Sequence, residues 1–243
     1  MLSVPYALYA EKAGNIYTKA EIDALLAELE SKIGEGGGSG EQGNSGNGVS
    51  NGMEYVDLGL SVKWATCNIG ASKPENTGGH YAWGEIATKS TYDDSTYKHC
   101  NGSYNTLTKY CTDSDYGTVD NKTTLEKSDD VAYTTLGGKW RMPTDAEWTE
   151  LRTQCDWTWV TYSGVKGYKV EASNGNSIFL PAAGSRYGSD LSGAGSYGYY
   201  WSSSLIENGP DLAWYVYFNS DDVSRFSGLR YFGHSVRPVL SLK

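Results

Sequence analysis

The chain has 243 residues, of which 39% are hydrophobic and 13% aromatic, enough for one substantial domain with accessories. Its 20 Lys and Arg stand against 29 Asp and Glu, a net charge of −9 with no basic cluster, which argues against nucleic acid or an anionic membrane as the main partner. No apolar stretch approaches a membrane span, so no insertion is expected, and residues 2–10 lack the basic lead of a signal peptide.

In chain order, residues 17–33 read as a short helix, with Thr18 as N-cap and Glu21 closing a capping box. Ile22, Leu26, Leu29 and Ile33 follow the a/d spacing of a coiled coil, which favours self-association over packing on a neighbouring domain. Residues 34–52 are nearly all Gly, Ser, Asn and Glu, a flexible linker. A head begins at Met53. Val56, Leu58, Leu60, Val62 and Trp64 alternate, broken by Gly59, and predict a hairpin or two strands. Residues 70–137 are polar and turn-rich and predict long loops.

A second capping box, Thr144 with Glu147, opens a helix that puts Trp148, Leu151 and Cys155 on one face. Strands are expected at 167–170, 177–180, 199–203, 213–218 and 235–240. The fold class is therefore α+β, with a small twisted antiparallel sheet, one or two helices and much loop. Cys67, Cys100, Cys111 and Cys155 allow three pairings, and Cys100 with Cys111 would close a small loop; buried or free thiols are the simpler expectation.

The tail, residues 181–243, holds 7 Tyr, 12 Ser and 8 Gly. Tyrosine offers a large, rigid, amphipathic surface at low entropy cost, while Ser and Gly let loops adapt and hydrogen-bond, as in antibody binding loops. Along 213–218, strand alternation sends Trp214, Val216 and Phe218 to one face, fit for a core, and Ala213, Tyr215 and Tyr217 to the other, fit for display. His80, His99 and His234 have no ligand-like spacing, and no nucleophile elbow, phosphate loop or dinucleotide fingerprint appears. Asp113 with Asp115, and Asp129 with Asp130, read as solvated loops rather than calcium sites. Neither a catalytic site, a metal nor a cofactor is expected.

Five ordered runs carry a family resemblance: YVDLGLSVKWATC (55–67), WRMPTDAEW (140–148), FLPAAG (179–184), YWSSS (200–204) and SVRPV (235–239). They resemble the Fibrobacter succinogenes major paralogous domain, which is related to the formylglycine-generating-enzyme type of C-type lectin fold. The resemblance covers 53–243 and implies a C-type lectin-like ligand-binding head. The same family includes variable proteins of diversity-generating retroelements, whose C-terminal codons are randomised at adenines. It implies ligand-binding, diversified positions at Tyr187, Asp190, Tyr197, Tyr199, Asp211, Leu212, Tyr215, Tyr217, Asp221, Asp222, Phe226, Leu229, Phe232 and His234. A frame of Trp140, Trp148, Trp201, Trp214 and residues 236–238 would hold them. The enzyme branch relies on a cysteine pair in the C-terminal half; here the last cysteine is Cys155, so copper-dependent oxidation is not expected.

The runs SVPYALYA (3–10) and YTKAEIDALL (17–26) are similar to segments near the ends of phage tail fibres and related adhesins. They imply a homotrimeric fibre tip on a virion or, alternatively, a bacterial surface anchor, with a host cell-surface protein or glycan as receptor.

Overall fold

A computed structural model describes residues 46–206 and 208–242. The expected stalk helix at 17–33 and most of the linker lie outside the described residues. The strands are β1 (Gly48–Ser50), β2 (Met53–Val56) and β3 (Val62–Ala65), and after a loop-rich stretch come helix α1 (Val131–Leu136), β4 (Trp140–Arg141) and helix α2 (Asp145–Gln154). Then follow β5 (Cys155–Tyr162), β6 (Val165–Ala172), β7 (Ser177–Pro181), β8 (Ser185–Tyr187), β9 (Asp190–Ser192), β10 (Gly198–Leu205), β11 (Leu212–Phe218), β12 (Val223–Leu229) and β13 (Val239–Ser241). The fold is mostly antiparallel sheet with few helices. In place of one small sheet there are four, ordered β1-β2-β3-β13-β4, β5-β6-β7, β10-β11-β12 and β8-β9.

Strand pairing reaches back into the glycine-rich segment that the sequence suggested was all linker. Gly48–Ser50 pairs with Met53–Val56 across Asn51 and Gly52, both at positive φ (47° and 80°). An Asn-Gly pair with both residues left-handed is the two-residue hairpin turn whose twist matches its strands. From residue 235 the expected strand is shorter: Ser235 makes only a bridge to Tyr200, and the ladder begins at Val239.

The Thr144 capping box forms in full: the Thr144 hydroxyl accepts from Glu147 N at 3.2 Å and the Glu147 carboxylate accepts from Thr144 N at 2.7 Å. Trp148 and Leu151 are buried beneath α2, but Cys155 is already the first residue of β5. Cys155, Trp157 and Trp159 alternate with polar residues and turn inward, against Tyr168 and Phe218. The expected helix face therefore ends at Leu151, and Cys155 opens a strand whose period-2 pattern is visible in the sequence.

The main core joins β3, α2, β6, β7, β10 and β11. Trp64 meets Trp148 at 4.7 Å between ring centroids, and Tyr200 stacks on Phe218 at 5.6 Å. Trp148 Nε1 donates to the Trp201 carbonyl (3.1 Å) and so fixes α2 to β10. Gly198 and Phe218 are register partners, and a Cβ at 198 would come within 2.0 Å of the Phe218 ring, so β10 can begin there only with glycine.

The stretch 70–137 is mostly loop, as expected, and two buried polar centres organise it. Asp129 accepts from Tyr110 Oη (2.8 Å) and Lys98 Nζ (2.8 Å), and also pairs with Lys109. These donors hold its carboxyl well below the usual range against the opposing effect of burial. Asp130 caps α1 by accepting from Ala132 N (2.9 Å) and Tyr133 N (3.1 Å), and its other oxygen accepts from Met142 N (2.9 Å). The Asp129-Asp130 pair is thus a tertiary anchor rather than a solvated loop. All four cysteines are free thiols, Cys67 and Cys111 buried.

Candidate ligand-binding face

The sheet β10-β11-β12 has two unlike faces, and its register assigns each residue. Tyr199 lies opposite Tyr217, which lies opposite Ser224; Trp201 lies opposite Tyr215, which lies opposite Phe226. These two cross-strand rows share one face, because side chains two apart on a strand point the same way. The reverse face carries Tyr200, Val216 and Phe218 into the core.

The front face is a continuous network of rings. Tyr197 stacks on Tyr217 (5.9 Å, 25°), Tyr217 meets Tyr199 edge-on (5.3 Å), and Tyr199 stacks on His234 (5.2 Å, 25°). Tyr215 contacts His234 (4.8 Å) and Phe226 (6.3 Å). Phe232 joins from the loop after β12, touching His234 (6.0 Å), Tyr187 (5.5 Å) and Tyr231 (5.1 Å). Eight of the positions named from the resemblance, Tyr187, Tyr197, Tyr199, Tyr215, Tyr217, Phe226, Phe232 and His234, therefore meet in one place.

They do not meet at one depth. Tyr187 (63% exposed), Phe226 (47%) and Tyr197 (39%) are the outermost. Tyr199, Tyr215, Tyr217 and Phe232 are half-buried, and His234 is a floor residue at 1%. Gly228 lets Tyr215 lie flat over β12, since a Cβ there would come 2.9 Å from the Tyr215 ring. Burial first, and then the neighbouring Tyr199 and Tyr217, push the Tyr215 phenol up to about 12. The hydroxyls of Tyr187, Tyr197, Tyr199, Tyr215 and Tyr231 make no hydrogen bond with another described residue, whereas Tyr217 Oη accepts from Asn219 Nδ2 (3.1 Å).

His234 sits below the tyrosines, its Nδ1 3.0 Å from Ser185 Oγ, and burial drives its pKa down to about 3.

The remaining expected positions lie outside the ring network. Leu212 and Leu229 face each other in register on the reverse face, half-buried, because they are in phase with Phe218 and Val223 rather than with Tyr215. Asp221 and Asp222 form the exposed β11–β12 turn, where Asn219 Oδ1 accepts from both of their amides (2.8 and 3.0 Å). Asp190 is exposed opposite Tyr187 on β9. Asp211 lies beyond Tyr231, half-buried, its carboxyl raised chiefly by burial.

Trp214, expected in the frame, is only half-buried. It lies under Arg225, whose guanidinium carbon is 3.2 Å from the ring centroid and whose Nε donates to Asp145 (2.6 Å). Ala213, expected on display, is buried because its place in the alternation falls at the inner end of the sheet. Tyr231 belongs to the face but was not singled out from sequence; it sits in a loop, where alternation gives no guide.

No family model, no curated protein and no solved structure matches the chain. Among the described residues no helix is long and apolar enough to cross a membrane.

Two arginines hold the segment that follows β12. Arg230 donates to Tyr97 Oη (2.9 Å) and to the carbonyls of Tyr110 (3.0 Å), Pro210 (2.6 Å) and Lys109 (3.0 Å). Arg237 donates to Asn68 Oδ1 (2.9 Å) and to the carbonyls of Ala65 (2.9 Å), Thr66 (2.7 Å) and Phe179 (2.8 Å). Both are buried at 1% or less. Between them Tyr231, Phe232 and His234 are set in place from both ends.

Proposed function

We propose that this unit is a ligand-binding head that recognises a partner through the aromatic face of β10-β11-β12, and that it is not an enzyme. The observation that carries the reading is the ring network itself. Exposed Tyr187, Tyr197 and Phe226 stand on a half-buried tier of Tyr199, Tyr215 and Tyr217, with several phenol hydroxyls free to bond a ligand. Large apolar rings on a water-facing surface are unfavourable unless something covers them, and tyrosines dominate interface hot spots for that reason.

In its finer form, the head is a C-type lectin-like fold of the Fibrobacter succinogenes major paralogous domain type. Its face is diversified by a retroelement, and its setting is a homotrimeric phage tail-fibre tip that binds a host surface receptor. A bacterial cell-surface or pilus-tip adhesin without diversification is the other setting. Support for the finer form comes from the sequence runs named above and from eight of the expected variable positions gathering on one surface. A front tier of replaceable rings over a buried His234 and arginine-held frame suits a surface whose contents change while its fold does not.

The test is binding of fluorescently labelled full-length chain to a panel of bacterial cells and isolated envelopes. Changing Tyr187, Tyr197 and Phe226 together to Ser should abolish binding. Tyr162→Ser, an equally exposed ring on β5 (48%), should leave it intact. Equal binding by the triple variant, or no binding by the wild type, would reject the adhesin reading.

A further inference from the structure

Beside the aromatic face lies an open cleft of about 300 Å³ whose lining comes from four separate segments. Trp159 enters from β5, Lys166 from β6, Ser196 and Tyr197 from the loop before β10, and Ser220 and Asp221 from the β11–β12 turn. Tyr197 belongs to both places, since its ring also stacks on Tyr217 of the face (5.9 Å).

The strand pattern explains why a cleft opens there. Along β6, Ala172, Val170 and Tyr168 alternate into the core, and the next residue in that phase is the exposed Lys166. On β5, Trp159 is the register partner of Tyr168. Its ring packs on Tyr168 (5.1 Å) and Phe218 (6.3 Å) yet stays only half-buried. The core row thus runs out into water between an indole and an ammonium. The facing walls are set before any ligand arrives. The Gly193 carbonyl accepts from the amides of Ser196 (3.0 Å) and Tyr197 (2.8 Å), and Gly195 N donates to the Ala182 carbonyl (2.7 Å). Asn219 Oδ1 accepts from the Asp221 amide (2.8 Å). Walls that need no ordering cost less entropy on binding.

The polar groups of the cleft are largely unspent. Lys166 Nζ, the Trp159 indole N–H and the hydroxyls of Ser196 and Tyr197 bond no other described residue. Asp221 accepts from Ser220 Oγ at Oδ1 (3.1 Å), and its Oδ2 has no partner among the described residues. Lys166 and Asp221 form no ion pair with each other or with another described residue. An anion drawn to Lys166 meets Asp221 as well, and a cation drawn to Asp221 meets Lys166, so the cleft favours neither charge.

Resting on the binding reading above, we propose that this cleft is a subsite for a neutral pyranose of a host-surface glycan. A sugar hydroxyl both donates and accepts, so one ring can donate to Asp221 while accepting from Lys166 and the indole N–H. The apolar C–H face of the sugar lies against the Trp159 and Tyr197 rings. The volume is at the small end for ligand pockets, roughly room for one or two sugar rings.

The probes are the methyl glycosides of glucose, galactose, mannose and N-acetylglucosamine, titrated into the full chain and followed by saturation-transfer NMR. At least one should bind wild type. Two paired variants keep the net charge: Lys166→Met with Asp221→Asn in the cleft, and Lys73→Met with Asp115→Asn at exposed positions away from it. The cleft variant should bind that glycoside at least about tenfold more weakly, as the loss of hydrogen bonds to charged groups implies, and the distant variant like wild type. No binding of any glycoside by wild type, or equal binding by the cleft variant, would overturn the proposal. So would tighter binding of the methyl glycoside of glucuronic acid, which carries a charge. The cell-binding assay separates this reading from the one it rests on, and there the cleft variant should bind more weakly than wild type. If it binds cells like wild type while the Tyr187, Tyr197, Phe226 variant does not, the sugar subsite falls and the aromatic face stands. If neither loses binding, the aromatic face falls too.

Discussion

The imidazole of His234 lies 4.2 Å from the Trp201 ring, centroid to centroid, with Tyr199 stacked over it at 5.2 Å. The floor of the binding face is thus an ionisable group sealed among aromatic rings, and its Nε2 has no partner among the described residues. Desolvation keeps such a ring neutral far below its ordinary pKa.

That burial has a pH signature. The folded pKa, about 3, lies below the ordinary 6.5, so between those values the unfolded chain takes up a proton that the folded chain refuses. Stability is therefore lost as pH falls through that window, at up to about 1.4 kcal/mol per pH unit for this group. His80 and His99, also lowered by burial, act in the same direction. Asp130 and Asp211, raised by burial, act against it. Urea unfolding of wild type and His234→Gln at pH 7 and pH 5 isolates the imidazole: the variant should show the shallower pH dependence. Identical slopes would mean that His234 titrates as if exposed.

The two tiers of tyrosine should separate binding from stability. Tyr215 touches Trp201, His234, Tyr199 and Phe226, so Tyr215→Ala should cost about 3 kcal/mol, in the range of buried aromatic truncations. Tyr197 leans on Tyr217 with its outer face in solvent, and Tyr197→Ala should cost less than about 1 kcal/mol. Denaturant midpoints would measure both. Equal costs would mean that the tiers do not differ in burial as described.

The sequence made the tier legible but not its depth. Alternation along 213–218 separated Tyr215 and Tyr217 from Val216 and Phe218 correctly, because period 2 is imposed by the backbone. It could not tell that Ala213 falls in a buried cluster and Trp214 beneath the exposed Arg225, since burial depends on what lies across the sheet. β12 was missed because Ser224, Arg225, Ser227 and Gly228 leave no apolar alternation; it forms because the Asn219 turn fixes its register on β11. The path of the 70–137 loops follows from Asp129 and Arg230 rather than from any local pattern. Those two anchors are single charged residues that nothing in the one-dimensional pattern separates from surface ones.

Arg237 offers a test of the frame. Its guanidinium satisfies four oxygens in two separate segments, 65–68 and β7, and a lysine has neither the reach nor the planar fork to replace it. Arg237→Lys should cost about 3 kcal/mol or more, because the lost donors leave buried carbonyls unpaired. Thermal melts would show a large drop. A change of only a degree or two would mean that water readily replaces the guanidinium there.

The start of β10 gives the last test, one of packing between two named positions. Gly198 faces Phe218, and an added Cβ would lie 2.0 Å from its ring, far inside contact distance. The ring cannot swing away, because Tyr200 stacks on it and Trp157, Trp159 and Tyr168 hem its other sides. Gly198→Ala should therefore destabilise by about 3 kcal/mol, the upper end of overpacking costs. Phe218→Leu alone also destabilises by opening a gap. Combined with Gly198→Ala, however, the smaller side chain makes room for the methyl, so the double variant should be more stable than the sum of the single costs predicts. Residues in contact couple in this way, and a double-mutant cycle from urea midpoints would read the coupling directly. Strict additivity would show that the clash at 198 is relieved by backbone movement, which would shift the Tyr199–Tyr217 row that the proposed binding face is built on.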